Sequence, residues 1–202
     1  MSEITKVIDS IRSSVEKVGT SGRDTVYLDN VSFRVSATKF EVPEGADLDA
    51  AREDFNWFLL CEDLRTEVAH PRHEKSWWLK QFGDDASPYG HSWDLHTVTD
   101  CLTLQGSERR AVLFNPTSPY PACILSYQFQ ITKYVTEGPL LDVTVTMRSS
   151  DVINCLSQDV LMTELLLWHV AQQVEMTPGH MTFNIANAHI YWEDLDTADE
   201  GL

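Results

Sequence analysis

The stretch Leu141–Leu161, LDVTVTMRSSDVINCLSQDVL, decides how this chain is read. Leu141 to Met147 alternates apolar and polar side chains, the two-residue period of a strand with one buried face. A turn follows that carries Arg148, Ser149, Ser150 and Asp151. A new apolar pattern then begins near Asp159, and Ser157 to Glu175 reads as a helix with Leu161, Leu165, Trp168 and Val170 on its apolar side. A strand that hands over to a helix through Arg-Ser-Ser-Asp is suited to an anion. A guanidinium grips two phosphate oxygens, and a hydroxyl of Ser149 or Ser150 adds a contact. A plain surface strand end explains Arg148 equally well, and Asp159 can be a simple helix N-cap.

Outward from this junction the chain mixes both kinds of element. Ile4, Val7, Ile8, Ile11, Val15 and Val18 recur at helical spacing until Gly19. TVYLDNVSFRVSATKFEV (25–42) reads as strand, and DLDAAREDFNWFLLCED (47–63) as a helix with Phe55, Phe58 and Leu59 on one face. Residues 65–90 read as irregular structure or short helix. Ala111–Asn115 and Ile124–Tyr134 are further strands, and MTFNI and HIYW close the pattern as strands. The expected fold class is α+β, mostly antiparallel or mixed sheet packed with helices, in a single domain over 1–202.

The chain has 202 residues, 43% of them hydrophobic, and a net charge of −16. Such a surface repels nucleic acid and anionic membrane, so neither is expected as a partner. The four cysteines, Cys61, Cys101, Cys123 and Cys155, form no CxxC pair, and their spacing fits neither a zinc site nor a disulfide framework. The amphipathic start MSEITKVIDSI is no signal peptide, and a reduced, cytoplasmic protein is expected. His70 and His73 in HPRH lack a third ligand and favour a solvated loop, so no metal is expected.

Cys123 stands in YPACILSYQF. A lone cysteine is most often a buried structural residue. As a nucleophile it needs a thiolate, hence nearby positive charge; Arg109, Arg110 and Arg148 are candidates. His189 and Tyr191 lie two apart, so a strand sets both on one face, for binding or for half-buried packing.

Taken in order, SERR, FNP, PACILSYQFQI, LDVTVTMRSSD and ANAHIY resemble the thymidylate synthase family, as do the upstream WFL and PYGHSW. The resemblance covers roughly residues 20 to 194 and is specific as an ordered set. Within the family it is nearest to the phage deoxycytidylate hydroxymethylases. These share MRS-x-D-V and an aspartate eight residues beyond the turn's own, where Asp159 stands. The uracil-specific synthases have asparagine there.

The resemblance implies a homodimer with shared active sites, a nucleoside monophosphate substrate (dCMP or CMP) and 5,10-methylenetetrahydrofolate as cofactor, in a bacterial or phage-infected cytoplasm. Cys123 would attack carbon 6 of the pyrimidine. Arg148 and Ser149 would hold the 5′-phosphate, with Arg109 and Arg110 reaching in from the second subunit and Arg23 as an N-terminal phosphate arginine. His189 and Tyr191 would bond the sugar 3′-hydroxyl. Asp151 would orient base or folate, Asp159 would read the base, and Tyr89 would belong to the proton-transfer network. The family's glutamate falls on Asp54, with Glu53 beside it.

The implied chemistry is coherent. Thiolate addition at carbon 6 makes carbon 5 a nucleophile toward the one-carbon unit of the folate. An amide matches uracil; a carboxyl that accepts from the 4-amino group and shares a proton with ring position 3 matches cytosine. Eleven residues follow Tyr191, among them Glu193, Asp194, Asp196, Asp199 and Glu200. So charged a tail is expected to leave the folate side open, so that water rather than hydride completes the reaction as 5-hydroxymethylation. A dCMP or dUMP methylase and a catalytically inactive nucleotide-binding homologue are the alternatives.

Overall fold

The computed structural model describes residues 3–22, 24–64, 93–104, 108–115, 122–136 and 138–195. Arg23 and Tyr89, like the His70/His73 pair, lie outside the described residues.

Helix α1 (Glu3–Val18) turns Ile4, Ile8, Ile11 and Val15 inward and stops at Gly19, whose N–H bonds Val15 O at 3.0 Å. Strands β1 (Thr20–Ser21) and β2 (Thr25–Ser36) follow. The β2 strand is shorter than the apolar alternation predicted. After Ser36 the backbone leaves the sheet and is tied to side chains: Glu41 N–H to Glu164 at 3.0 Å, Glu44 N–H to Thr5 at 3.0 Å and Asp47 N–H to Gln158 at 3.0 Å. Helix α2 (Leu48–Leu64) runs where its pattern placed it. Helix α3 (Leu95–Thr103) is capped by Asp94, which accepts from Thr97 N–H at 2.9 Å. A single 3₁₀ turn at Glu108–Arg110 leads into β3 (Val112–Phe114), β4 (Ile124–Tyr134), β5 (Gly138–Met147) and the short β6 (Ser150–Asp151). Helix α4 (Leu156–Gln173), strand β7 (Thr177–Tyr191) and a last turn, α5 (Trp192–Leu195), complete the described chain.

MTFNI and HIYW are therefore one long strand, not two. The sheet has the order β1-β2-β7-β5-β4-β3, with β6 continuing the line of β5 along β7. It is mixed: β7 pairs antiparallel with β2 but parallel with β5 and β6, because α4 carries the chain across between them. The fold is α+β, as read. The apolar stripe of α4 was read too narrowly. Trp168 is 37% exposed, while Val160, Leu161, Thr163, Glu164, Leu166 and Leu167 are buried. A helix covered on most sides shows little amphipathic contrast.

The sheet is kinked along one line. On β5 the buried positions beyond Leu140 run Leu141, Val143, Val145 and Met147, whereas after the turn the even-numbered Ser150 and Val152 are buried along with Asp151. On β7 they are Met181, Phe183 and Ile185, then Ala188 and Ile190. On β4 Ile124 is buried, then Tyr127 and Phe129, with a register shift between Ile124 and Ser126. On β2 Val26 and Val35 are buried on opposite parities, with Asn30 between them at φ 56°. Met147 pairs with Ile185, Ser150 with Ala188 and Asp29 with Asn187, so all four changes fall at the same level. Each one re-aims the side chains beyond it, as bulges do beside functional sites. Arg148, Ser149, His189 and Cys123 all lie at or just past this line.

Candidate functional site

Arg148 and Ser149 occupy the break between β5 and β6. The backbone there still bonds its neighbours: Arg148 N–H donates to Cys123 O at 2.8 Å, and Val152 N–H to His189 O at 2.9 Å. The kinked backbone thus brings Cys123 beside the turn. Its Sγ stands 3.7 Å from Arg148 Nη2 and 3.9 Å from Ser149 Oγ, and Arg148 Nη1 donates to Ser149 Oγ at 2.9 Å. A guanidinium and a hydroxyl against a thiol form an anion-friendly corner. Burial nevertheless pushes the Cys123 thiol up, and Asp159 adds to the rise; Arg148 and Ser149 oppose both.

Asp151 pairs in register with His189, so both side chains share a face. Its Oδ1 accepts from Ile153 N–H and Asn154 N–H, each at 3.1 Å, and its Oδ2 from Asn154 Nδ2 at 2.9 Å. This Asx turn fixes the corner between β6 and α4. His189 packs edge-on against Tyr191, ring centroids 5.2 Å apart. Burial holds the His189 pKa below its ordinary value, although Asp151 opposes this, which favours the neutral ring.

Asp159 is not the helix cap. The capping position is Cys155, which makes no side-chain cap, and Asp159 lies in the first turn at 3% exposure. Its Oδ2 accepts from Ser150 Oγ at 3.3 Å. Burial lifts its pKa to about 7, the Asp151 charge adds to this, and the Ser150 bond works against it. Ser150 itself corrects an expectation. It is 1% exposed and faces Asp159, so of the two serines Ser149 is the one whose hydroxyl stands at the Arg148 corner.

Arg109 and Arg110 are not brought to this corner within the chain. Phe129 N–H bonds Ala111 O at 2.8 Å, which sets Arg110 level with Gln130. Cys123 is seven residues further down β4, roughly 20 Å away at strand spacing. Both arginines are exposed. On α2, Asp54 is 6% exposed while Glu53 is half-buried, so the shorter carboxylate is the one turned fully inward.

A buried polar string was not anticipated. Trp93 Nε1 donates to Asn115 Oδ1 at 2.9 Å, and Asn115 Nδ2 to Ile124 O at 2.8 Å, next to Cys123. The Tyr127 hydroxyl lies beside Thr163 and Asn115, and Thr163 Oγ1 donates to Asp159 O at 2.8 Å. Its visible signals were FNP after a short strand and the tryptophan of PYGHSW. Among the described residues no helix is long and apolar enough to cross a membrane, and no cluster of three or more His, Cys, Asp or Glu could hold a metal.

A kinked mixed sheet sets a thiol, an arginine and a serine at one corner, with buried carboxyls and an imidazole alongside, a donor set chemically suited to an anionic ligand. The thymidylate synthase family model matches residues 50–202. The chain is 29% identical over 166 residues to the thymidylate synthase of Rhizobium rhizogenes, covering 75% of this chain and 52% of that protein. It is 28% identical over 132 residues to the thymidylate synthase of Mycoplasma pneumoniae, covering 59% of this chain and 44% of that protein. The chain spans about half the length of these relatives. It belongs to the thymidylate synthase family. That family is one of folate-dependent one-carbon transferases that use 5,10-methylenetetrahydrofolate.

Proposed function

We propose that the chain catalyses folate-dependent 5-hydroxymethylation of a cytidine 5′-monophosphate, deoxy in preference to ribo. The observation that carries this is Asp159. It is a carboxyl at 3% exposure with a pKa of about 7, close enough to Cys123 to raise the thiol. Near neutral pH it can hold or release a proton. A protonated carboxyl donates to ring position 3 of cytosine while its other oxygen accepts from the 4-amino group.

The other residues take their roles from the same corner. Arg148 and Ser149 bind the 5′-phosphate, with Arg109 and Arg110 supplied by a second copy in a homodimer of single-domain chains. His189 and Tyr191 bond the sugar. Cys123 adds to carbon 6 and makes carbon 5 nucleophilic. A neutral Asp159, its proton shared with the ring, no longer opposes the thiolate. Asp54, or Glu53 beside it, orients the water that becomes the new hydroxyl.

The donor set fits a folate. Tyr191 offers a ring at 40% exposure within electrostatic range of Asp151, Cys155 and Cys123. The Asp151 carboxylate, already holding Ile153 and Asn154, has lone-pair capacity left to accept from a pterin amino or ring N–H. When bound, methylenetetrahydrofolate supplies a one-carbon electrophile at the oxidation level of formaldehyde.

Incubation with methylenetetrahydrofolate and dCMP, CMP or dUMP in turn, followed by product mass, tests this. A gain of the elements of formaldehyde on the cytosine nucleotide, with tetrahydrofolate released, is expected. A methylated nucleotide formed in step with dihydrofolate makes the chain a methylase instead. Tight nucleotide binding with no product makes it an inactive binding homologue, a reading that the raised Cys123 pKa favours.

A further inference from the structure

Ser149 and Ser150 are neighbours in sequence with opposite destinations. Successive residues of an extended chain face opposite sides. Ser149 is half-buried and takes the Arg148 guanidinium at 2.9 Å, 3.9 Å from the Cys123 sulfur. Ser150 is 1% exposed, and its partner is Oδ2 of Asp159 at 3.3 Å. The position of Ser150 is rigid. It is locked into β6 opposite Ala188, between the Cys123–Arg148 and Val152–His189 backbone bonds. Asp159 is equally fixed, with its N–H on Cys155 O at 2.9 Å and its carbonyl holding Thr163. Among the described residues no other donor bonds the Asp159 side chain.

We infer that Ser150 is a positioning residue for base selection: its hydroxyl marks Oδ2 of Asp159 as the acceptor oxygen and so leaves the carboxyl's proton on Oδ1. The inference rests on the proposed base-reading role of Asp159. A protonated carboxyl has one donor and one acceptor edge. In one order they match the acceptor at position 3 and the amine at position 4 of cytosine. In the reverse order they match the N–H at position 3 and the carbonyl at position 4 of uracil. The same residue in the same rotamer therefore discriminates only if the proton stays on one oxygen. A single fixed hydroxyl on the other oxygen supplies that asymmetry, and free exchange of the proton would erase it. At 3.3 Å the bond is long for a hydroxyl on a carboxylate and can tighten when a base engages the other oxygen.

Removing the hydroxyl also removes a donor that favours the ionised form, so the Asp159 carboxyl should titrate higher still. The titratable groups within electrostatic reach of it are Asp151, Cys123, Cys155 and Tyr127. None of them changes in a Ser150 variant.

The test compares Ser150→Ala, and Ser150→Cys as a poor donor of nearly the same volume, with the parent protein. The cytosine-over-uracil preference in kcat/KM, measured on dCMP and dUMP, should fall about threefold to tenfold in both, the size of one lost hydrogen bond. The loss should come largely from a higher KM for dCMP and a lower one for dUMP. The Asp159 carboxyl, followed by carbon-13 NMR of aspartate-labelled protein and assigned with Asp159→Asn, should titrate at higher pH in Ser150→Ala. An unchanged preference and an unchanged titration overturn the proposal. A changed preference in Asp159→Asn with none in the Ser150 variants overturns it alone. An unchanged preference in Asp159→Asn overturns the base-reading role and this inference together.

Discussion

Cys123 is pulled in two directions. Burial and the Asp159 carboxyl hold it as a thiol, while Arg148 and Ser149, within 4 Å, favour the thiolate. If it is the nucleophile, Cys123→Ala should abolish turnover, with nucleotide affinity kept within about tenfold because the phosphate contacts remain. Isothermal titration beside a product assay separates the two, and an active alanine variant would refute the mechanism. Asp159→Asn replaces a protonatable acid by an amide whose donor and acceptor are fixed. It should weaken the cytosine nucleotide relative to the uracil one by about 1–3 kcal/mol in kcat/KM. Steady-state kinetics on both nucleotides measures this directly.

At the scale of elements, the parallel pair β5–β7 carries a register shift between Leu141 and Val143, and Gly179 sits opposite it. A Cβ there would collide with the Asp142 carboxylate and stand 2.8 Å from Leu140 Cβ. Asp142 cannot step aside easily. It is held by Tyr134, by Arg34 at 3.3 Å and by His180 N–H at 2.8 Å. Gly179→Ala should therefore cost about 1–3 kcal/mol, the usual range for overpacking. Urea unfolding checks this, and a neutral result would mean that the bulge can relax. The shift also sets the register in which β7 delivers His189 and Tyr191 to the corner.

For the molecule as a whole, two buried acids on α4 contribute a pH dependence whose direction is clear. Glu164 is fully buried on α4, and burial together with the Glu41 carboxylate lifts its pKa to about 8, although Glu41 N–H bonds it at 3.0 Å. Glu164 and Asp159 both hold a proton more tightly folded than unfolded. Their stabilisation is complete below the ordinary carboxylate range and is lost as pH rises through about 7 for Asp159 and about 8 for Glu164. The melting temperature should fall between about pH 4 and about pH 8, where the unfolded chain has lost these protons and the folded one has not, and Glu164→Gln should flatten that fall. An equal slope in the variant would show that Glu164 stays ionised. Assembly gives a second test at this scale. Arg110 lies too far along β3 and β4 to serve its own Cys123. Mixed Arg110→Ala and Cys123→Ala chains should regain activity in hybrid dimers with one intact site. No recovery in chains shown to exchange would leave the two arginines outside the site.

The sequence by itself determined the family and the kind and order of most elements, though not where β2 ends or that MTFNI and HIYW are one strand. Period-two alternation in Leu141–Met147 and helical spacing in Ile4–Val18 are local, and the ordered motifs from SERR to HIY are linear. Both are legible without contacts. The sequence could also name Cys123, Arg148, Asp159 and His189 as a set, because residue type and order survive in the string. Only the tertiary structure decided what each side chain faces. Ser149 and Ser150 are chemically identical, and the kinked strand sends one to Arg148 and the other to Asp159. Asp159 looks like a cap until α4 begins three residues before it with its carboxyl side buried. The parallel pairing of β5 and β7 and the Trp93–Asn115–Tyr127–Thr163 string join segments far apart in the chain. Facing, burial and long-range pairing are properties of the packed sheet and helices, so no window of sequence contains them.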